Sequence, residues 1–455
     1  MTVSMALFTR DLRVHDNPAL AAAARTDEIL PVFVVDASIC SSSYSSPNKA
    51  VFLAEALADL DETLRSLGGR LLLRSGDPAA EVCRLVQQFS VDEVHIAEDV
   101  SSYSRRRENR LRERLTPLGC RLLVHESSVT VCAPGSLTPA GKDHFAVFTP
   151  YHRRWSQHRL RKPLAVPKHI RLPHRADSDP LPAPSDLTAG KGSPHLPTGG
   201  ESEGRAVART WFAEGIHAYA DTHDDLAADA TSHLSPYLHF GCVSAVELLH
   251  HTDQSTRGGA AFARQLAWRD FHHQVLAARP ASAHRDYRTH HDHWSDDHRL
   301  LAAWRAGRTG YPIVDAGMRQ LAAQGWMHNR ARLITAGFLT KTLYMDWRAG
   351  AQHFLEWLVD GDIANNQLNW QWVAGTGTDT RPNRVLNPHR QAERYDPDGD
   401  YVRRWVPELA HVQGRAVHRP WTLSAVAAAG YPEPIVDHDQ AARAFRRIRQ
   451  PEQTD

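Results

Sequence analysis

Short apolar runs separated by helical stretches recur through the first 130 residues, and this alternation restricts the fold more than any other feature. Met5-Ala6-Leu7-Phe8 reads as a buried strand, and Ile29 to Val35 as a second. Arg70 to Leu73, Val91 to Ile96 and Arg121 to Val124 supply three more. Between them, Asp16-Asn17-Pro18 offers capping residues and a proline suited to a first helical turn. Ala50 to Leu67 is a helix closed by Gly68-Gly69, Asp77-Pro78 opens another, and Arg105 to Leu115 is a charged third. Strands with near-continuous apolar faces, joined by helices, pair in parallel and are covered on both sides. Residues 1–130 are therefore expected to form an α/β domain with a doubly wound parallel sheet.

The pattern then changes. Residues 131–204 are expected to be an interdomain linker, and from Leu164 to Gly204 the chain is rich in Pro, Gly, Ser and charge. From Arg205 the helical period dominates: Val207, Trp211, Gly215 and Tyr219 recur every four residues. Ile313 to Leu321, Arg332 to Leu343 and His353 to Val359 behave alike. Residues 205–455 are expected to form an all-α domain, and a length of 455 residues favours two cores over one.

Composition narrows the function. The net charge is +1, so any nucleic-acid affinity must come from a local patch. Five scattered cysteines, with no C-x-x-C pair, argue against a zinc ribbon, an iron–sulfur cluster or a disulfide framework. Charged residues come early (Arg10, Asp11, Arg13), against a secretory leader. No stretch approaches about 20 apolar residues, the length of a membrane span. A cytoplasmic monomer is the expectation. His290-His291-Asp292-His293 lacks companion ligands, so no metal is expected.

Twelve tryptophans are many, and core packing accounts for some of them. The run Asp360 to Trp372, however, combines two carboxylates, three asparagines and two indoles. So dense a polar run makes a poor core. It suits a polar heterocycle with hydrogen bonds at its edges and aromatic contact on its faces. Upstream, Gly325 to Arg332 places two arginines two residues apart, and Arg332 could pair with Asp360 across helices. A buried pair of that kind more often marks a site than a stabilising device. Spacing alone points to a ligand-binding helical domain.

These segments closely resemble the FAD-binding region of the photolyase/cryptochrome family, nearest to its class I cyclobutane pyrimidine dimer photolyases. The resemblance rests on Gly310 to Ala316, Gly325 to Arg332, Asp360 to Trp372 and Thr376 to Asp379, on Thr231 to Gly241, and on Arg10 to Arg13 with Asp16 to Leu20. It implies FAD, and places Tyr219, Thr231, Ser232, Leu234 and Ser235 at its phosphates. His233 stands where the family usually has arginine. Gln265, Arg269, Asn329, Arg332, Asp360, Asp362 and Asn366 are implied around the flavin and adenine, with Asn366 facing flavin N5. Trp370, Trp347 and Trp294 match the family's electron-transfer triad.

The same resemblance implies damaged DNA as partner, with a pyrimidine dimer flipped out of the duplex. Gln265, Trp268, Asn329, Arg330, Leu333 and Trp372 match residues around the lesion, and Arg381 and Arg384 are further candidates for phosphate contact. Gln265 stands where dimer repairers normally carry Glu, and Leu333 where they carry Met. A (6-4) photoproduct repairer would need paired histidines near Trp326 to Leu333, where only His328 occurs. A blue-light sensor of the cryptochrome type is the other reading, and the short stretch after Val436 leans toward repair. Ser46 to Lys49 with Phe52-Leu53 resembles a deazaflavin-type antenna site, favoured over folate, at the C-terminal ends of the strands.

Overall fold

In the computed structural model, which describes residues 2–424 and 430–449, β1 (Val3–Phe8) is buried along its whole length at the centre of a sheet. β2 (Glu28–Val35) and β4 (Glu93–Ala97) flank it, and β3 (Leu72–Ser75) and β5 (Arg121–His125) lie outside them. The order is β3-β2-β1-β4-β5, and every pairing is parallel. All five predicted strands are present. The intervening helices begin where their capping residues sit. Asn17 accepts from Leu20 N with Pro18 as the first helical residue, and Asp77 accepts from Ala80 N ahead of Pro78. The helix predicted from Ala50 starts earlier, as α1 (Pro47–Ser66), because Ser46 caps it.

Residues 131–204 do more than connect. They carry a helix, Phe148–Trp155, whose Tyr151 and Trp155 enter the core. Ile29 N donates to Arg171 O and Asp179 N to Leu73 O, so the segment is laced along the sheet. Local composition made it look like a loop, and its order comes from contacts distant in sequence. The helical part opens at Glu201, four residues before the expected start. Its main members here are α2 (Arg257–Ala278), α3 (Asn329–Gly337), α4 (Trp347–Trp357), α5 (Ile363–Ala374) and α6 (His438–Arg449). The end of the expected 205–455 domain, residues 450–455, lies outside the described residues.

One apolar cluster crosses from the sheet into the helices, with Phe8 and Phe52 on one side and Tyr237, Phe240, Phe271 and Leu368 on the other. Polar contacts hold the same seam. Leu12 N donates to Phe240 O, Arg13 Nη1 to Gly241 O at 2.9 Å, and Val14 N to Glu201 Oε2 at 2.7 Å. Gly241 has φ +71°, and a Cβ there would lie 2.0 Å from the Arg10 carbonyl oxygen. Only glycine permits both the left-handed backbone and so close an approach. Among the described residues, no helix is long and apolar enough to cross a membrane.

Two outcomes follow. Gly241→Ala should destabilise the fold by about 2 kcal/mol or more, read from denaturant unfolding; unchanged stability would show that the seam yields. The second concerns pH. Burial lowers His95, His272 and His328 to about 4, whereas they titrate near 6.5 when unfolded. The unfolded chain then binds more protons between those values, so stability present above pH 6.5 is lost as pH falls toward 4. Each histidine should contribute about 1 kcal/mol per pH unit in that window. Equal unfolding free energies at pH 7 and pH 5 would contradict this.

Candidate functional site

α5 begins at Asp362, whose carboxylate caps the helix by accepting from Asn365 N at 2.7 Å. From that start the helix projects Asn365, Asn366 and Asn369 on turns facing α3, and buries Trp370. α3 is capped in turn by His328, whose Nδ1 accepts from Arg330 N. Asn329, Arg332, Leu333, Asp360, Asn366 and Trp370 surround a cavity of about 80 Å³ between these helices.

The predicted Arg332–Asp360 pair forms. Nη1 and Nη2 of Arg332 reach the two oxygens of Asp360 at 3.1 and 2.8 Å, and Nε donates to Met327 O at 2.7 Å. The carboxylate side chain is only 3% exposed, so this two-pronged contact is what makes its burial tolerable. The Asn366 amide nitrogen donates to Ala351 O at 3.0 Å, which turns its oxygen the other way.

Other candidates are placed less simply. Arg330 is paired with Asp224 at 2.6 Å and lies over the Tyr395 ring. Arg269 donates to the carbonyls of Val129 and Leu238, across the seam between sheet and helices. Asp362 faces Arg10 and, at 3.5 Å, His273. Burial alone would raise this carboxylate, but His273 and Arg10 hold it well below the ordinary range. Arg10 also reaches Asp99 at 3.2 Å. Burial alone would lower its guanidinium, yet Asp99 and Asp362 lift it above the ordinary value. The side chains of Arg269 and Asp362 thus serve the junction between domains.

The phosphate candidates cluster along one edge. Tyr219 is buried with its ring edge-on to Trp211, and Leu234 is buried one residue before the Ser235–Phe240 helix. Ser232 Oγ accepts from Leu234 N, and Ser235 Oγ accepts from Trp326 Nε1 at 3.1 Å. Thr231 Oγ1 is buried with no partner, as is Trp211 Nε1. His233, at φ 51°, bonds Asp229 at 3.0 Å and packs on Trp326. Orphaned polar atoms of this kind are costly unless something fills the site. The chemistry of FAD, a diphosphate joined to polar ring systems, fits such hydroxyl, guanidinium and amide donors.

Trp370 and Trp347 are buried, at 2% and 0% exposure, whereas Trp294 is half-buried. Trp370 packs on α4 at Gly350, where a Cβ would lie 2.3 Å from its ring. Trp347, one turn earlier on α4, donates its Nε1 to Asp286 at 2.8 Å. Of the three indoles, only Trp294 is partly exposed. Of the residues matched to lesion contacts, Gln265 and Asn329 are exposed, and Leu333 and Trp372 are half-buried. Trp268 lies flat on Phe148, with ring centroids 3.6 Å apart.

Asp224, Arg10, His273, Phe148 and Asp286 were not singled out for these contacts from the sequence. Arg10 and Asp362 are 352 residues apart, and no local pattern signals their pairing.

A second, larger cavity of about 730 Å³ opens where β1 and β4 end, lined by Phe8, Arg10, Tyr44, Lys49, Leu53 and Asp99 among others. The chain leaves β1 toward β2 on one side and meets β4 on the other, so this is the sheet's switch point, where ligands of such folds bind. Of the suspected antenna motif, Lys49 and Leu53 reach the cavity. Ser46 caps α1, Asn48 bonds Ser193 and the Trp357 carbonyl, and Phe52 packs on Phe240. Lys49 Nζ donates to the carbonyls of Tyr44 and Leu355, and burial lowers it to about 7.

Comparison with known proteins agrees with this geometry. Residues 4–168 match the family model for DNA photolyase, and residues 262–450 match that for the FAD binding domain of DNA photolyase. The deoxyribodipyrimidine photo-lyase of Streptomyces griseus is 56% identical over 454 residues, covering 99% of each chain. A Synechocystis cryptochrome structure aligns with a TM-score of 0.91 at 29% identity, covering 98% of this chain and 99% of that one. The structure of an archaeal photolyase from Sulfolobus tokodaii with two FAD molecules aligns at 0.87 and 30%, over 98% and 99%. With an α/β sheet, a helical FAD-binding unit and full-length kinship all present, the chain belongs to the DNA photolyase family.

Proposed function

We propose that the protein is a light-driven DNA repair lyase that splits cyclobutane pyrimidine dimers. The observation that carries this is the full-length kinship with the Streptomyces griseus deoxyribodipyrimidine photo-lyase. FAD, when bound, supplies the light absorption and the electron that opens the dimer ring. The protein's own groups do the rest. Thr231, Ser232 and Ser235 hold the diphosphate, with Tyr219 and Leu234 behind them. Arg332 and Asp360 border the ring system, and Asn366 offers a neutral amide that can bond an edge nitrogen without protonating it. Arg269 and Asp362 act at one remove, by fixing α2 and α5 against the sheet.

The lesion is taken out of the duplex, as photolyases do. Trp268 and Trp372 wall the dimer, Gln265 and Asn329 bond its edges, and Leu333 keeps the apolar volume that Met would give. Phe148, from residues 131–204, fixes the plane of Trp268. Arg330 is held by Asp224, so phosphate contact falls more to the exposed Arg381 and Arg384. The (6-4) reading is disfavoured at His328. Its Nδ1 caps a helix and burial lowers it to about 4, so near neutral pH it is a neutral imidazole and not an imidazolium acid. The sensor reading draws on the Synechocystis cryptochrome and is decided by a repair assay.

We assign an antenna chromophore to the cavity of about 730 Å³ where β1 and β4 end, with a deazaflavin favoured over a folate. Lys49 and Arg10 line it with nitrogen donors, and Tyr44 adds an aromatic wall. Trp294, Trp347 and Trp370 relay electrons inward from the surface. The working enzyme is assigned as a cytoplasmic monomer.

Illuminating the reduced, FAD-loaded protein with a thymine-dimer oligonucleotide should restore the bases, with no repair in the dark and none of a (6-4) oligonucleotide. Repair of neither lesion, with light-driven FAD reduction intact, would move the protein to the sensor class. Trp370→Phe should abolish that photoreduction while leaving FAD bound; unchanged photoreduction would remove the indoles from the relay. Arg332→Ala leaves Asp360 unpaired in the interior, a cost of about 3–5 kcal/mol. The purified variant should carry little FAD, and a wild-type FAD content would contradict the assignment.

A further inference from the structure

Residues 143–148, in the stretch between the sheet and the helices, touch both helices that carry the lesion walls. Trp268 belongs to α2, and Trp372 to α5. Toward α2 there are three contacts. Arg279, the residue that ends α2, gives Nη1 to Asp143 Oδ2 at 2.5 Å and Nη2 to Asp143 Oδ1 at 3.2 Å. Phe145 N donates to Gln274 Oε1 at 3.0 Å, and Gln274 Nε2 donates back to Phe145 O at 2.8 Å. Phe148 lies parallel to Trp268, within 4°. Toward α5 the contact runs through His144. Its Nε2 lies 2.8 Å from the Tyr287 hydroxyl, and Tyr287 N donates to Gln371 Oε1 at 2.7 Å. Gln371, next to Trp372 in α5, is fully buried, and its Nε2 donates to Ser282 O at 2.6 Å.

We propose that His144 is a positioning residue for lesion recognition: through Asp143 and Arg279 on one side, and Tyr287 and Gln371 on the other, it fixes the gap between Trp268 and Trp372. This rests on the lesion walls assigned above. His144 Nδ1 lies 2.7 Å from Asp143 Oδ1. A carboxylate only accepts, so in the neutral ring Nδ1 carries the hydrogen and Nε2 accepts from the Tyr287 hydroxyl. One side chain thereby joins two chains of hydrogen bonds that end on different helices. The His144 residue is only 6% exposed, and Tyr287 meets its ring edge-on with centroids 5.8 Å apart. Ring packing and hydrogen bonds fix the same geometry.

Contact between a flipped base and an aromatic wall depends steeply on distance. A gap of about 0.5–1 Å forfeits roughly a quarter to a half of the dispersion energy. Two walls on separate helices keep that tolerance only if the helices are tied close to the walls. On α2 the tie is visible in the stack itself. Aromatic pairs prefer offset or edge-to-face arrangements, with centroids about 4.5 Å apart or more. Phe148 and Trp268 instead lie flat at 3.6 Å. The surroundings impose that stack, and the chain from Asp143 to Phe148, bonded at Asp143 and Phe145, supplies the constraint. Arg332, Asp360 and Asn366 take their partners from one another, Met327 and Ala351. The tie therefore bears on the lesion walls rather than on the flavin border.

Equilibrium binding of the FAD-loaded protein to a thymine-dimer oligonucleotide, and to its undamaged counterpart, tests this. The wild type should prefer the dimer. Tyr287→Phe keeps the ring and deletes the hydroxyl, and His144→Leu deletes the bridge. Each should weaken dimer binding about tenfold, the worth of one or two hydrogen bonds. FAD content and affinity for undamaged DNA should stay at wild-type levels. His144→Gln keeps a polar atom near the place of Nε2 and should restore most of the preference. Where His144→Leu does not fold, Tyr287→Phe and His144→Gln carry the test. Unchanged dimer affinity in Tyr287→Phe would overturn the proposal. So would a loss shared with FAD content or undamaged DNA, because the bridge would then be general support for the fold. His144→Gln binding the dimer tenfold more weakly than wild type would overturn it as well. A wild type without preference for the dimer would overturn the repair reading, and this inference with it.

Discussion

The guanidinium of Arg10 sits between two buried carboxylates, Asp99 at the end of β4 and Asp362 at the start of α5. Three charges out of water are tolerated only because each has partners: Asp99 also accepts from Ser104, Asp362 caps α5, and Arg10 Nε reaches the His239 carbonyl. The arrangement links the sheet's switch point to the helix that carries Asn366, Trp370 and Trp372. A shift of α5 would break a charge contact and a helix cap together. The pairing therefore acts as a datum for the candidate site.

The two cavities share this junction. Arg10 and Asp99 line the larger one, and residues from α4 and α5 close it on the helical side. A chromophore there would rest on the same helices that border the flavin site. That gives energy captured in the α/β unit a short route to the helical unit without any moving part. Trp370 on α5 packs against α4, which carries Trp347, and Trp294 is the partly exposed member of the proposed relay. In the proposed function, light capture and electron supply would then reach the site through different elements.

Much of this was legible locally. Alternating apolar runs marked all five strands, and Asn17 and Asp77 marked helix starts, because strand burial and capping are short-range effects. The Arg332–Asp360 pair was readable from the isolated charges in otherwise helical segments. What could not be read was long-range. Nothing near Arg330 announces Asp224, and nothing near Arg269 announces the carbonyls of Val129 and Leu238. Residues 131–204 looked like a linker because their apolar residues are few, yet Phe148, Tyr151, Trp155 and Ile170 are each buried by distant partners. Of the antenna motif, sequence could name Ser46 to Lys49 with Phe52 and Leu53, but not that, of these, Lys49 and Leu53 would turn toward the cavity.

The most direct test of the Arg10 datum is the FAD content of purified, folded Arg10→Met. Removing one charge from the cluster strands two buried carboxylates, at a cost of about 3–5 kcal/mol. The start of α5 should loosen, and the ratio of FAD to protein should fall well below that of the wild type. A folded Arg10→Met protein that keeps the full complement of FAD would show that α5 is positioned without this contact, and would contradict the account.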